Sequence, residues 1–363
     1  MSKSKIGTFE AILLVLSVLA PFTVISLSRT IINETKSSIL LNIVYITIIC
    51  LVIAFFIYKL FKKFPGLDIL DISQYLGGNI FKNIIGFIFI SYFVITSSIF
   101  LRNFCEGLKI VYYEFTDIVY IILFFIIAIA ITNTLDFNST IRTTSIIFPF
   151  LIISIILLFV GNLDNFSFNR IFPILGDGFE NTFILGLSNI GCFAGMTYLY
   201  FLPPLLKDPK KFKYVSILSV LLSGLFIIMC VATLLFMFAI FESTEEIMPL
   251  FSASRYIEFG SFFQRFESLF LLIWTISFCC YLSISCKFST YILKKMFTLK
   301  DSSQLIYTLL ILIFSIALLP KSYSIINYFE TDIYRYLSIA IILLGFFILL
   351  LSNFKKRLVR LNE

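Results

Sequence analysis

The chain has 363 residues, of which 60% are hydrophobic and only 13% are charged, and its mean hydropathy is +1.02. Soluble domains carry about 25% charged residues, so this composition excludes a soluble globular enzyme. The formal net charge of +7 is explained by basic loops facing anionic lipid, and it requires no nucleic-acid partner.

Ten segments are apolar enough to be predicted as transmembrane helices, in which every backbone group is satisfied within its own segment. A β-barrel would instead need short segments of alternating polarity, which the continuous Ile, Leu and Phe runs do not show. The fourth segment is the weakest because it is short and its end is polar. The predicted spans cover approximately residues 9–27, 39–60, 84–101, 118–131, 144–161, 182–202, 214–241, 262–286, 304–319 and 334–351.

The first apolar segment follows Lys3 and Lys5, as the core of a signal peptide would. It is long for a signal sequence and no clear small-residue cleavage site follows, so we interpret it as span one. When the ten spans are counted through, most basic residues fall on the side of the N-terminus. The positive-inside rule therefore predicts that both termini are cytoplasmic.

Several chemistries are excluded by the residues themselves. The chain has no histidine, so it can form no histidine-based triad, zinc site or proton relay. Its seven cysteines form no C-x-x-C motif and are interpreted as packing residues, and no P-loop motif occurs. We therefore expect no catalytic residues, no metal and no cofactor.

Two of the predicted spans contain residues that interrupt or loosen a helix. Span one includes Ser17, Ala20 and Pro21, and span six includes Gly191 and Gly195 ahead of two prolines. Secondary transporters bind substrate near the bilayer midplane, where such spans are interrupted. The alternative is a proline kink with close helix packing through small residues, and these residues alone do not distinguish the two.

Spans one and six would open two five-helix halves of one membrane domain covering residues 1–363. The first repeat is expected at about 9–161 and the second at about 182–352, followed by a basic cytoplasmic tail at 353–363. Matching interruptions in two halves are what a transporter built from repeats would show.

Five segments resemble, in order and over nearly the whole chain, the B subunit of the spore germination receptor. That subunit belongs to the endospore germination permease family of the amino acid-polyamine-organocation superfamily. Asp68 and Asp71 make the first segment more acidic than the family's pattern. The segments are FPGLDILDISQYLGG at 64–78, LRNFCE at 101–106, RIFPIL at 170–175, MPLFSASRYIEFG at 248–260 and QRFESLFLLIW at 264–274.

The resemblance implies an all-α membrane protein of ten transmembrane helices, with a LeuT-type 5+5 inverted repeat and broken spans one and six. It also implies a multi-pass protein of the spore inner membrane or cell membrane, assembled with a larger A subunit and a lipoprotein C subunit. The expected function is to bind a small germinant, such as an amino acid, and to trigger germination. The alternative is a secondary active transporter of amino acids or similar small solutes, since both functions need the same midplane pocket.

The candidate ligand-binding residues are small, hydroxylic or aromatic, and none is charged. A carboxylate would therefore be held by backbone N–H groups and an ammonium by carbonyls and hydroxyls, and a sugar or nucleoside is equally compatible. Gly191 and Gly195 are expected to let the backbone approach the ligand. The candidates are Ser17, Ala20, Pro21, Tyr92, Thr96, Ser97, Gly191, Phe193, Gly195, Trp274 and Ser277.

Four charged residues near span ends are candidates for a gate, a subunit contact or structural ion pairs, because charges inside spans are costly. Arg102 and Glu106 are four residues apart on one helix and are expected to pair locally. Arg265 and Glu267 are two apart, so we expect each to pair with another element instead.

Overall fold

The computed structural model describes residues 5–23, 28–240, 248–257, 265–299 and 303–362. The regular secondary structure of these residues is helical, apart from a single bridge between Ile6 and Leu206. The helices are α1 Thr8–Phe22, α2 Ser28–Thr35, α3 Ile39–Phe61, α4 Ile69–Tyr112, α5 Ile118–Thr132, α6 Phe137–Gly161, α7 Glu180–Tyr200, α8 Phe212–Met237, α9 Pro249–Ser254, α10 Phe266–Phe297, α11 Ser303–Ala317, α12 Tyr323–Tyr328 and α13 Arg335–Asn362.

Each predicted span coincides with helical residues. Within the described part of the chain, seven helical stretches are long and apolar enough to cross a membrane, and three apolar helices are shorter. The shorter ones are Thr8–Phe22, Ile118–Thr132 and Gln304–Ala317. The predicted end of span seven and start of span eight, together with residues 258–260 and 264 of the resemblance segments, lie outside the described residues. The chain is a multi-pass α-helical membrane protein.

Span one differs from the expectation at its centre. Helix α1 runs without interruption through Ser17 and Pro21 to Phe22, so neither of these residues interrupts it. Pro21 has no backbone N–H to donate to the carbonyl of Ser17, so it removes one hydrogen bond from the last turn of α1. Residues 24–27, which separate α1 from α2, lie outside the described part of the chain.

Span six is irregular along its length, as the sequence predicted. Residues Glu180–Ile184 are wound as a π-helix and Leu185–Tyr200 as a 3₁₀-helix, with Phe193 outside helical geometry at φ −88° and ψ 30°. Long runs of either geometry are uncommon because their hydrogen bonds are poorer than those of an α-helix. Helix α7 therefore depends on side chains of its neighbours for support.

Helix α4 consists of two parts with different roles. Gly77 and Gly78 leave helical geometry, and Gly78 has a φ of 73° that favours glycine. They separate a short first helix, at 69–76, from the long span that follows. Span three packs on α10 and α13, while α1 lies among α6, α7, α8 and α10. The centre of the bundle is thus formed around the end of α1.

Candidate functional site

An aromatic cluster surrounds the end of helix α1. The ring of Phe22 lies 3.6 Å from that of Phe100, 4.8 Å from that of Tyr281 and 5.2 Å from that of Tyr334, measured between ring centroids. These side chains come from α1, α4, α10 and the turn before α13, and all four are buried. We call these four residues the aromatic centre. The junction of spans one, three, eight and ten is therefore filled by side chains of the chain itself.

Three of the predicted ligand-binding residues lie around this centre. The Tyr92 hydroxyl is 3.0 Å from the Ser338 hydroxyl, and Ser97 donates to the Ser285 hydroxyl at 2.7 Å. The Thr96 hydroxyl donates to the carbonyl of Tyr92 at 2.8 Å. Spans three, eight and ten thus share a buried group of hydroxyls, which can exchange hydrogen bonds with a small polar ligand.

Sequence reasoning missed the partners of these hydroxyls. Tyr281, whose hydroxyl interacts with Thr96 and Ser97, lies on α10 four residues before Ser285. Ser338 lies on the first turn of α13. The only signal was helical spacing, since residues four apart share a helix face.

The other candidates on α10 lie on a neighbouring face. Trp274 packs against Phe270 on its own helix and against Phe226 on α8, at ring distances of 5.5 and 6.2 Å. Neither the indole N–H of Trp274 nor the hydroxyl of Ser277 has a hydrogen-bond partner among the described residues, although both are buried. An unpaired buried donor is costly, so these two groups are available to a ligand.

The candidates on α1 and the aromatic residue of α7 are buried packing residues in this structure. Ser17 donates its hydroxyl to the carbonyl of Leu14 at 2.8 Å, within its own helix. Ala20, Pro21 and Phe193 are also buried. They stay predicted candidates, but Ser17 already has a partner.

The two glycines of span six lie against the backbone of neighbouring helices in this structure. A Cβ added at Gly191 would lie 2.7 Å from the Cα of Arg335 on α13. A Cβ added at Gly195 would lie 2.8 Å from the carbonyl oxygen of Val15 on α1. Both positions already face backbone, so glycine is needed for close approach of the helices.

A largely buried ion pair joins helix α2 to span ten and contacts span six. Arg335 donates from Nη1 to Glu34 Oε2 at 2.7 Å and from Nη2 to Oε1 at 2.6 Å. The Ser188 hydroxyl donates to Glu34 at 3.1 Å, and Arg335 also reaches the side-chain oxygen of Asn189 at 3.3 Å. We call the two ionised residues the Glu34–Arg335 brace. It connects α2, α7 and α13, and no charged pair at this depth was predicted.

Asn42 on α3 supports the irregular start of span six. Its amide nitrogen donates to the carbonyl of Thr182 at 2.7 Å and to that of Gly186 at 3.3 Å. Its side-chain oxygen accepts from Asn189 at 3.0 Å. Non-helical backbone at membrane depth requires such partners, which explains how α7 keeps its geometry.

The predicted ion pair between Arg102 and Glu106 on span three is confirmed. Arg102 donates to Glu106 from Nε at 2.9 Å, and its Nη2 is 2.7 Å from the same oxygen. Arg102 also donates to the carbonyl of Ala317, at the end of α11, at 3.3 Å. A cation at a helix C-terminus is stabilising, so this pair fixes α11 against α4.

The expectation for Arg265 and Glu267 was wrong, because they pair with each other at 3.3 Å. Arg265 precedes helix α10 and has φ −130° and ψ 53°, so helical spacing does not apply to it. Its side chain is 77% exposed, which makes the pair weakly stabilising and a poor candidate for a gate.

The two acidic residues near the start of α4 that depart from the family's pattern, Asp68 and Asp71, form an ion pair with the same lysine. Lys295, near the end of α10, lies 2.6 Å from carboxylate oxygens of both Asp68 and Asp71. Asp68 is fully buried, caps the helix by accepting from the backbone N–H of Asp71, and also accepts from the Tyr291 hydroxyl. The two acids therefore fasten the loop between spans two and three to the end of span eight.

We expect Lys295→Met to destabilise the protein by about 3–5 kcal/mol, since it leaves the buried Asp68 carboxylate without its cation. Thermal unfolding in detergent checks this, with Lys294→Met as the control because Lys294 makes no ion pair among the described residues. Equal unfolding temperatures for the two variants would contradict the assignment.

The helical bundle has the fold of membrane transporters of known structure. A Na⁺-coupled sialic acid symporter, solved in a substrate-bound outward-open state, superposes with a TM-score of 0.67 over 95% of this chain and 79% of that chain. The two are 14% identical, so the likeness shows the fold alone, which is the LeuT-type fold that the sequence resemblance implied.

The chain belongs to the spore germination protein family, whose sequence model matches residues 5–326. Spore germination protein B2 of Bacillus subtilis (strain 168) is 23% identical over 364 residues, covering 99% of this chain and 98% of that protein. Spore germination protein A2 of the same organism is 27% identical over 378 residues, covering 98% and 97%. The predicted family is therefore confirmed, and the protein is a germination permease-like membrane protein.

Proposed function

We propose that the chain is the permease-like subunit of a spore nutrient germinant receptor. It binds a small germinant at the aromatic centre and passes the resulting rearrangement to a larger A subunit and a lipoprotein C subunit. It resides in the spore inner membrane with both termini in the cytoplasm. Family membership supports the role in germination, and the predominance of basic residues on the N-terminal side supports the orientation.

One observation carries the proposed binding site: a buried group of hydroxyls borders the aromatic centre where four spans meet. Tyr92, Ser97, Tyr281 and Ser285 place hydroxyls from α4 and α10 next to the end of α1. A ligand that displaces the Phe22 ring would meet these donors and acceptors directly. Binding would thereby shift α1 relative to α4 and α10, because Phe22 packs on both helices.

The Glu34–Arg335 brace supports a role in transmission. It ties α2 and α7 to α13, so these three helices move together unless the ion pair breaks. Ion pairs with two discrete arrangements are suitable elements for a conformational switch. In this proposal the brace holds the resting state.

The second candidate function is secondary active transport, favoured by the symporter-like fold. Uptake of labelled amino acid into vesicles that contain the chain alone separates the two functions. Net accumulation against a gradient supports the transporter, whereas binding without accumulation supports the receptor.

We expect Tyr281→Phe to raise the germinant concentration that gives half-maximal germination about tenfold, since one lost hydrogen bond to a polar ligand is worth ~1.4 kcal/mol. The abundance of the subunit in spores is measured beside the response and stays normal, because the ring and its packing are retained. Tyr214→Phe, which removes an exposed hydroxyl on α8, is the control. A normal germinant threshold for Tyr281→Phe would mean that the germinant does not bind at the aromatic centre.

A further inference from the structure

Span three begins at a glycine turn that leaves the N-terminus of its helix without a cap. Gly77 and Gly78 separate the short helix at 69–76 from the long helix at 79–112, and Gly78 has φ 73° and ψ −166°. The first N–H groups of a helix have no partner within it, and the side chain before the helix usually caps them. Gly78 has no side chain, and no side chain among the described residues accepts from the N–H groups of residues 79–82. A Cβ at Gly78 would meet no atom within 4 Å, so the turn is open to a ligand.

Lys82 brings a positive charge to the same turn. It is only 6% exposed, yet within the described part of the chain it makes no hydrogen bond and no ion pair. Helical side chains lean towards the N-terminus of their helix, and residues four apart share a face, so Lys82 extends back towards Gly78. A buried ammonium without a partner is costly. Lys82 therefore points to an anion at the turn.

A second ammonium lies beside the turn. Lys355, near the end of α13, donates to the carbonyls of Tyr75 and Leu76 at 2.8 and 3.1 Å, directly before Gly77. Its side chain is exposed, so the third N–H of the ammonium can reach a ligand. We call Gly77, Gly78, Lys82 and Lys355 the basic turn. Uncapped helical N–H groups and two ammonium groups are the donors that a phosphate requires.

The acidic residues of the short helix do not cancel the charge of the basic turn. Asp68 and Asp71 both pair with Lys295 at 2.6 Å. Two more bases border the turn, since Lys356 follows Lys355 and donates to the carbonyl of Lys63 at 2.5 Å. Including Lys295, the described residues around the turn hold five ammonium groups against two carboxylates. The surface therefore favours a ligand with net negative charge.

The helix that follows the turn exposes an apolar face. Ile80, Ile84 and Phe87 are 77%, 52% and 67% exposed and lie on one side of the helix. Helix α4 is long and apolar enough to cross a membrane, so this side meets the acyl chains of lipids. A phosphate at the end of the helix lies between this face and the buried face that holds Lys82. A lipid can use both the turn and the apolar face, whereas a free phosphate can use only the turn.

We propose that the basic turn binds the phosphate of an anionic membrane lipid, such as phosphatidylglycerol. The phosphate accepts hydrogen bonds from the first N–H groups of the helix at 79–112 and from the ammonium groups of Lys82 and Lys355. The acyl chains lie against Ile80 and Ile84. Because Lys355 belongs to α13, the lipid fastens the start of span three to the end of span ten. This site is independent of the germinant site and of the proposed receptor function.

Thermal unfolding of the full chain in a neutral detergent tests the site, because a ligand of the folded state raises the unfolding temperature. Phosphatidylglycerol is added to the micelles at constant ionic strength. We expect Lys82→Met to need about tenfold more of this lipid than the native chain for the same rise, and Lys355→Met about threefold more, since Lys355 is exposed. Lys213→Met is the control and is expected to match the native chain, because it removes an exposed lysine from α8, which packs on α1 and α3.

Two further ligands separate the sources of the phosphate. Phosphatidylcholine has a phosphate but no net charge, and inorganic phosphate has no acyl chains, so neither is expected to match phosphatidylglycerol. An equal rise with inorganic phosphate would overturn lipid as the ligand, and an equal rise with phosphatidylcholine would overturn the choice of an anionic headgroup.

An equal requirement for phosphatidylglycerol in the native chain and both lysine variants would overturn the site itself. Without lipid, Lys82→Met is expected to unfold at or above the native temperature, because it removes a buried charge that has no partner among the described residues. A lower temperature would contradict the assignment of Lys82 to a ligand. The two variants lie on different helices, so the failure of one to fold leaves the comparison intact.

Discussion

We expect Glu34→Leu to lower the amount of the protein in the spore membrane and to abolish the response to nutrient. The side chain of Arg335 is 5% exposed, and without Glu34 its guanidinium keeps only neutral partners, which are Ser188, Asn189 and the carbonyl of Thr331. Removing one partner of a buried pair costs about 3–5 kcal/mol, and the lower end applies because Glu34 is itself 29% exposed. Abundance is measured by immunoblotting of spore membranes and response by germination with nutrient.

The double variant Glu34→Leu with Arg335→Met separates folding from signalling. Replacing a whole ion pair by apolar residues is often neutral for stability, so abundance is expected to recover. The nutrient response is expected to stay altered, because the pair that we propose to hold the resting state is gone. Recovery of both abundance and a normal threshold would show that the brace is only structural. Glu180→Leu, an exposed carboxylate at the start of α7, is the control.

The second large effect is expected for Gly195→Leu, which should prevent the subunit from accumulating in the membrane. The Cβ of the new side chain would lie 2.8 Å from the carbonyl oxygen of Val15. Backbone atoms cannot move away by changing rotamer, as a flexible side chain can. Overpacking costs ~1–3 kcal/mol where side chains can adjust, and more is expected here. Membrane abundance is the readout, with Gly7→Ala as the control because a Cβ there meets only the end of Glu10, at 3.5 Å.

A Gly195→Leu protein that reached normal abundance but did not respond to nutrient would restore the earlier interpretation, in which this glycine lines the ligand space. Normal abundance with a normal threshold would contradict both interpretations. The two roles of a glycine in a membrane helix are thus separated by measuring amount and response together.

The sequence by itself determined the class of the protein, its helical segments and its family. Hydropathy is a sum over neighbouring residues, so apolar spans are visible without knowledge of their partners. The Arg102–Glu106 pair was also predictable, because spacing of four on one helix brings the two side chains together. The irregularity of span six was visible in its glycines.

Only the tertiary structure decided which faces of these helices meet. Glu34 and Arg335 are 301 positions apart and Asn42 and Thr182 are 140 apart, so no local pattern connects them. The sequence also did not reveal that Gly195 lies against the backbone of Val15, since a small residue is equally suited to a ligand and to a neighbouring backbone. The pairing of Arg265 was predicted wrongly for a local reason. Helix α10 begins one residue later, at Phe266, so helical spacing does not apply to Arg265. Periodicity fixes which residues share a face, whereas the identity of the opposite face depends on how all the helices pack together.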